Sequence, residues 1–413
     1  MSHKFSLRSL WRPGAALLLL PLLSSCGGGY DCGDCSVGYP PVEKSAGVIA
    51  GDFNNDGFTD IVQLSSVHNG LEPDPAYLKS YLSTGAGAFA APLQTFSGDD
   101  PLFAVGTDLN GDGLPDVVTA SVEDGALAIY FNNSLMPGTL NTPLVLPSPG
   151  ASQVAVADMN GDGMPDLVSA DYNVSLFLQT SPGTFANAVN LYPGGANWVA
   201  VGDLNGDGMP DVVVTDGTGV HLLLHTGAAS ATTYAAPVTV FTQTVNMNVA
   251  GWNLVAVADV DGDGLNDLVI TDPGPTGGAA PTVNVLLQDP ANHGQFLPAV
   301  SYPVAPASLA QSIIVRDLDG DGRPDIVIGG TDAVSVLLQD PANPGAFLTA
   351  TNFVAEDANE IAVADVDGDG RLDILIATGP TRPVLSGVTT AHPGVLLQSA
   401  TTPGSFAAPV DLP

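Results

Sequence analysis

One chemical motif recurs seven times along the chain, the nonapeptide D-x-[ND]-x-D-G-x-x-D. Its copies read DFNNDGFTD, DLNGDGLPD, DMNGDGMPD, DLNGDGMPD, DVDGDGLND, DLDGDGRPD and DVDGDGRLD. Positions 1, 3, 5 and 9 carry side-chain oxygens. In the first four copies these are Asp52, Asn54, Asp56 and Asp60; Asp108, Asn110, Asp112 and Asp116; Asp158, Asn160, Asp162 and Asp166; Asp203, Asn205, Asp207 and Asp211. In the last three they are Asp259, Asp261, Asp263 and Asp267; Asp317, Asp319, Asp321 and Asp325; Asp365, Asp367, Asp369 and Asp373. A hard divalent cation suits such a set, because calcium takes about six to eight oxygen ligands. The position 7 carbonyl can add another, and Gly at position 6 permits the sharp wrap. Without an ion, three or four carboxylates in one short loop repel one another. Magnesium prefers a rigid octahedron that retains water, so up to seven structural Ca2+ ions are the expected cofactor. The loops at 259, 317 and 365 have Asp at position 3 and should bind most tightly, with the loop at 52 losing its ion before them.

The elements that position these loops repeat with them. The loop starts are 56, 50, 45, 56, 58 and 48 residues apart. Before each loop runs a short apolar stretch such as Val154-Ala-Val-Ala157, and after it another such as Asp325-Ile-Val-Ile-Gly. A third follows (Val334-Ser-Val-Leu-Leu-Gln339), then a Gly-containing turn and a fourth (Phe185-Ala-Asn-Ala-Val-Asn-Leu-Tyr192). All are short, rich in β-branched residues and bounded by turn formers, so they read as strands. None keeps a helical apolar period. An EF-hand would need flanking helices and Glu at position 12, where this chain has residues such as Val118, Ser169, Val214 and Ile328.

Four strands in each unit is the size of a propeller blade. The expected fold is therefore all-β: a seven-bladed β-propeller with four antiparallel strands, A to D, in each blade and the Asp loop joining A to B. Ring closure protects the edges that a stack of such units would expose. Either Phe406-Ala-Ala-Pro-Val-Asp-Leu-Pro413 or Tyr39-Pro-Pro-Val-Glu-Lys44 could supply the closing strand.

With loops and blades together, residues from about 46 to 413 resemble the FG-GAP/VCBS repeat family, in its bacterial VCBS-like branch. The Phe-Gly and Gly-Ala-Pro signatures that name the family are missing. The resemblance implies calcium that holds a hairpin loop in shape, away from any ligand.

The N-terminus reads as an export signal. Lys4, Arg8 and Arg12 precede the apolar run Gly14–Leu23, which is too short to span a bilayer. Leu23-Ser24-Ser25-Cys26 resembles the bacterial lipobox, which implies cleavage before Cys26 and its lipidation. The expected organisation is a lipoprotein signal peptide over 1–25, a lipidated tether over 26–45 and the propeller over 46–413. Gly27 follows the cysteine, and by resemblance to the lipoprotein sorting rule this implies the outer membrane. Cys32 and Cys35 in the tether read as a small staple or two free thiols, since no zinc-ligand spacing surrounds them.

Charge narrows the partners. Acidic residues number 43 against 9 basic, for a net −34. Residues 1–25 hold three of the basic ones and no acidic one, so the remainder stands at −37, of which seven calcium ions would leave −23. No basic footprint for nucleic acid exists, and the membrane is reached through the lipid anchor alone. The protein is expected to be a monomer.

A partner is expected on the B–C/D–A face, where connections are longest: Ser66–Lys79, Asp272–Pro281, Gly379–Gly394 and Thr242–Asn253. Trp198 and Trp252, just before strands A, could stack on sugar rings or anchor a protein, or else plug the central channel. Tyr77, Arg382 and His392 lie within insertions. His221 and His225 flank an apolar strand without the Glu or helix of a zinc-protease motif. The first functional expectation is a surface binding or adhesion module for a glycan or protein, since no catalytic motif is recognisable. The alternative is a polysaccharide lyase or hydrolase using carboxylates such as Glu72, Asp74, Glu123, Asp124, Glu356 and Glu360. An envelope assembly scaffold is a third.

Overall fold

The computed structural model describes residues 42–68, 75–99, 101–227, 232–242, 253–274, 281–304, 310–355, 358, 360–377 and 392–412. Seven four-stranded antiparallel sheets follow one another in the sequence. Blade 3 shows the pattern: Gln153–Ala157, Asp166–Ala170, Val174–Phe177 and Val189–Tyr192, in spatial order A-B-C-D. Strand A is innermost. The seven A strands are Val42–Gly51, Phe103–Thr107, Gln153–Ala157, Trp198–Gly202, Val255–Ala258, Ala310–Arg316 and Ile361–Ala364. Each contacts the next around the axis, and the last contacts the first, which closes the ring. The protein is a seven-bladed β-propeller.

The core lies between blades, not on the axis. Seven apolar clusters fill the seven blade interfaces. Between blades 2 and 3, for example, Val118, Leu127 and Ile129 pack on Val154, Leu167 and Phe177. Strands B and C are buried on both sides, as in Asp211–Thr215 and Gly219–Leu223, where every residue is buried. That is why these strands read as unbroken apolar runs without the alternation of a half-solvated sheet. Strand D is the outer rim and exposes Val145, Val238, Val300, Val354 and Val410.

Closure uses the C-terminal strand. Val410–Asp411 is the outermost strand of blade 7, against Pro393–Leu396. The N-terminal residues lengthen the inner strand of blade 1 instead, with Val42 opposite His68. Strand structure therefore begins at Val42, four residues inside the stretch expected as tether. Each blade is built from its own contiguous segment. The stretch Ser66–Lys79 is also less of a loop than expected, because Ser66 pairs with Ala76 and the B–C hairpin of blade 1 is drawn out as strand. The fourth strand of blade 3 is shorter than its sequence suggests: Thr184–Phe185 instead pairs back on Gln179–Ser181.

Candidate metal loops and the opposite face

Each Asp loop is wired to backbone in the same way. The position 1 carboxylate accepts the position 6 Gly N–H in all seven, at 2.7–2.9 Å. In six loops its other oxygen accepts the position 4 Gly N–H, at 2.7–2.8 Å. Position 4 has positive φ throughout, between 73° and 79° in those six glycines. The first loop has Asn55 there (φ 59°), and its Asp52 accepts from Asp56 N instead. The position 5 carboxylate accepts the position 7 N–H in every loop. These bonds fix the turn and hold the position 1 and position 5 carboxylates against its backbone in every loop.

Position 9 does more than donate an oxygen. Asp60, Asp116, Asp166, Asp211, Asp267, Asp325 and Asp373 are buried at the first residue of strand B. One oxygen accepts the N–H of the buried apolar residue at position 2, at 2.7–3.0 Å. The other accepts the N–H of the residue two beyond strand C (Ser83, Asn132, Gln179, His225, Gln288, Gln339 or Gln398), at 2.6–2.8 Å. One carboxylate thus pins the ends of three strands. Burial pushes it up, to about 6 in Asp60, Asp116, Asp166, Asp211, Asp267 and Asp325, against the pull of its N–H donors. Neighbouring loop carboxylates raise it further.

A second clamp, absent from the sequence reading, joins the blades. Gln339 Nε2 donates to Pro324 O in its own blade and to Val260 O of blade 5. Gln398 does the same to Leu372 O and to Leu318 O of blade 6, and Asn132 to Pro115 O and Phe53 O of blade 1. In blades 6, 3 and 1 the C–D turn also covers the preceding blade's Asp loop: Gly345 backs Asp261, Gly183 backs Asn110, and Gly87 of blade 1 backs Asp367 of blade 7. The Leu-Leu-Gln ending of strand C was the visible signal.

The loops differ in how they treat position 3. Asn54 and Asn160 donate their amide N–H to Asp56 and Asp162, at 2.9 Å, and Asn205 turns its amide toward Asp211 and His225 O. Aspartate cannot do this. In the last three loops the carboxylates crowd instead, and burial followed by like-charged neighbours raises Asp261 and Asp319. Ligand atoms of Asp259, Asp261 and Asp263 lie within 4.8 Å of one another, as do those of Asp317, Asp319 and Asp325, and of Asp365, Asp367 and Asp373. These three clusters could hold a metal ion. In the last two, position 9 stands in the trio instead of position 5, and Arg323 and Arg371 pair with the position 5 carboxylates Asp321 and Asp369.

The candidate partner residues fare unequally. Trp198 is half-buried on the axis: its Nε1 donates to Val255 O of blade 5 at 3.1 Å, and its ring meets Phe103 of blade 2 edge-on at 5.7 Å. It therefore packs across the channel between three blades. Tyr77 lies on strand Pro75–Tyr81, not in a loop, and packs edge-on against Phe96 at 5.9 Å. Trp252, Arg382, Cys26, Cys32 and Cys35 lie outside the described residues, as do Glu72, Asp74 and Glu356. Glu123 and Asp124 are on blade 2 while Glu360 precedes the inner strand of blade 7. His221 and His225 are buried. His221 sits between Thr218, Asp216 and Thr239, and Tyr192 OH donates to Asp216 at 3.0 Å. Burial alone would raise the Asp216 carboxyl, but the Thr218, His221 and Tyr192 hydrogen bonds outweigh it and bring it down to about 2.

That Asp216 contact belongs to a third recurring clamp, on the B–C/D–A face. Aspartates of the B–C turns, Asp124, Asp171 and Asp216, each accept from the end of the preceding blade's outer strand: Asp99 N, Ser148 Oγ and Tyr192 OH. Among the described residues the most exposed aromatic side chain is Tyr172, 70% exposed in the short B–C turn of blade 3 on this face. It was missed because that turn carries no insertion.

A sequence model described as an FG-GAP-like repeat matches residues 108–169, 158–214, 203–270, 259–328 and 317–376, each span running from one Asp loop into the strand after the next. No curated protein sequence matches the chain. Among solved structures, a lectin of Agrocybe aegerita that recognises non-reducing terminal N-acetylglucosamine aligns with TM-score 0.50 and 20% identity, over 76% of this chain and 80% of that one. BBS1N, solved in complex with ARL6DN, aligns with TM-score 0.51 and 12% identity, over 83% and 91%. The V. cholerae biofilm matrix protein Bap1 aligns over 90% of each chain, with TM-score 0.44 and 12% identity. At these identities the likeness is one of fold.

Proposed function

Because this chain belongs to the FG-GAP-like repeat family, we propose that it is a calcium-braced binding module of the cell envelope, recognising a glycan or protein through its B–C/D–A face. The observation that carries this reading is a division of labour between the two faces. On the loop face the carboxylates, the glycines and the Gln/Asn side chains are spent on holding loops, strand ends and neighbouring blades together. On the opposite face the connections vary in length, and a fixed scaffold beneath variable connections is the usual arrangement for recognition.

The residues fit a hard cation. Asp259, Asp261 and Asp263 in blade 5, Asp317, Asp319 and Asp325 in blade 6, and Asp365, Asp367 and Asp373 in blade 7 would hold Ca2+ through side-chain oxygens. The ion would supply charge neutralisation and loop rigidity and no bond-breaking chemistry. In blades 1 to 4 the Asn carbonyl would replace one carboxylate, at lower affinity. Export through residues 1–25 and lipidation at Cys26 would place the module at the outer membrane, either at the surface or facing the periplasm.

The test is a binding screen of the purified protein against glycans and matrix proteins, in calcium and again in EDTA. A calcium-dependent hit whose ligand is recovered intact supports the module. Recovery of a shortened polymer would replace it with the lyase or hydrolase reading. A blank from folded, calcium-loaded protein would move the function to envelope scaffolding.

A further inference from the structure

We propose that Tyr172 is a stacking platform for a pyranose ring of a neutral glycan, on the B–C/D–A face at blades 2 and 3. This deepens the binding reading above and rests on it.

Three observations carry the inference. The first is the ring's support. Tyr172 is 70% exposed, yet one side of its ring lies on Gly150, where an added Cβ would come within 3.0 Å of the ring atoms. Gly150 has φ 86°, so the chain there is held in a conformation that suits glycine. The other side of the ring is left open.

The second is that the turn beneath the ring is locked. Asp171 is buried; it accepts Asn173 N at 2.6 Å, Ser148 Oγ at 2.7 Å and Ser175 Oγ at 3.0 Å. Tyr172 N itself donates to Pro149 O at 3.4 Å. The turn that carries the ring is therefore already set, so a ligand stacking on Tyr172 would not have to order it.

The third is charge. The same Pro149–Gly150 segment is flanked on its other side by the B–C turn of blade 2, where Gly125 packs on Pro149 and Glu123 and Asp124 are exposed. Between Lys79 and Arg316 the chain contains no Lys or Arg at all. Blades 2 to 5 therefore offer no lysine or arginine for a uronate, sulfate or phosphate, and an anionic ligand meets only repulsion. The chemistry that remains is an open aromatic face for the C–H side of a sugar ring, with carboxylates alongside that accept hydroxyl hydrogen bonds. A basic peptide would be drawn to carboxylates all around the propeller. What singles out this spot is the flat, backed ring, and that is a shape for a pyranose.

The experiment is calorimetry of the full protein in calcium with three neutral oligosaccharides (chitotetraose, cellotetraose, mannotetraose), two anionic ones (tetragalacturonate, a heparin oligosaccharide) and octalysine. It is repeated with Tyr172→Ala and Tyr172→Phe. The expected result is binding of a neutral oligosaccharide that weakens about tenfold or more in Tyr172→Ala and survives in Tyr172→Phe. Tyr172 is a surface side chain, so both variants should keep the wild-type melting temperature and calcium response. Neutral-glycan binding that is unchanged in Tyr172→Ala would overturn the platform and leave the binding module standing. Binding confined to an anionic oligosaccharide or to octalysine would overturn the ligand class. No binding of any glycan or protein by the wild-type chain would overturn the module reading, and this inference with it.

Discussion

The loops of blades 1 to 4 and those of blades 5 to 7 have one backbone and two electrostatic conditions. In the first group position 3 is Asn, and in three of the four its amide donates to a neighbouring carboxylate or carbonyl. Such a loop relieves its own charge. In the second group position 3 is Asp, which has no proton to give, and the carboxylates are left facing one another within 4.8 Å. The same turn is therefore nearly satisfied by its own side chains in three blades of the first group and left with unrelieved like charge in the second, which a bound cation would relieve. Strand and turn geometry are common property, and demand for the metal is set by one atom of one side chain.

The largest expected effect is on the whole ring. Chelation with EDTA should lower the melting temperature sharply, since each loop held at a hundredfold excess over its Kd contributes about 2.7 kcal/mol. Because next-blade turns back Asp261 and Asp367, ions bound there should stabilise blade interfaces as well as loops. A calcium titration followed by calorimetry should resolve two classes of site, with blades 5 to 7 filling first. Seven equal sites would erase the distinction drawn above.

Acidity should act in opposite directions on the two states. Without metal, the buried position 9 carboxyls sit near 6 in the fold, above the 3.8 of the free group. The folded chain then binds more protons than the unfolded one in that window. The stability they contribute is complete below about pH 4 and is lost as pH rises through 6. In EDTA the melting temperature should therefore rise as pH falls from 7 to 5. In calcium, protons compete with the ion, so the gain from calcium should be greatest at pH 7 and shrink toward 5. Scanning fluorimetry at both pH values checks this, and parallel curves in EDTA and calcium would count against it.

Much of this was legible in the sequence. The seven Asp loops, the four strands around each and the closed ring follow from repetition and from β-branched runs, because those signals are local and occur seven times. Other features were not legible, for a physical reason in each case. Which terminus closes the ring depends on contacts between residues near 42 and near 410, and both segments have strand-like composition. The Gln339 and Gln398 clamps reach carbonyls about 80 positions away in sequence. Tyr77 looked like a loop residue because the hairpin Asp60–His68 with Pro75–Tyr81 is longer than its siblings. Trp198 could be read as a partner anchor or as a plug of the central channel, and the structure packs it across the axis against Phe103.

Substitution at position 9 should hurt both loop classes alike. Asp211→Ala removes the acceptor for Leu204 N and His225 N in a buried site. Two stranded N–H groups cost roughly 2–5 kcal/mol together. The loss should persist in EDTA, which distinguishes a strand clamp from a pure metal ligand. A variant destabilised only in calcium would assign position 9 to the ion alone. Asp261→Asn is the milder counterpart, giving blade 5 the position 3 of blades 1 to 4. It should weaken one tight site and raise the melting temperature in EDTA, by roughly 1 kcal/mol of relieved repulsion.

The smallest effect separates blades 5, 6 and 7 among themselves. Arg323 and Arg371 pair with Asp321 and Asp369, whereas blade 5 has Leu265 at the same position. Position 5 belongs to the crowded trio in blade 5, and position 9 replaces it in blades 6 and 7. Each arginine is an internal counter-ion that an incoming cation must displace or tolerate. It is partly exposed, so the pair is worth at most about 1 kcal/mol. Arg323→Leu with Arg371→Leu should therefore tighten calcium at those two loops by no more than about fivefold and leave blade 5 unchanged. The added repulsion should lower the melting temperature slightly in EDTA. Weaker calcium binding in the double variant would mean that the guanidinium groups help to orient Asp321 and Asp369, and the order of the three sites would then be set by geometry before charge.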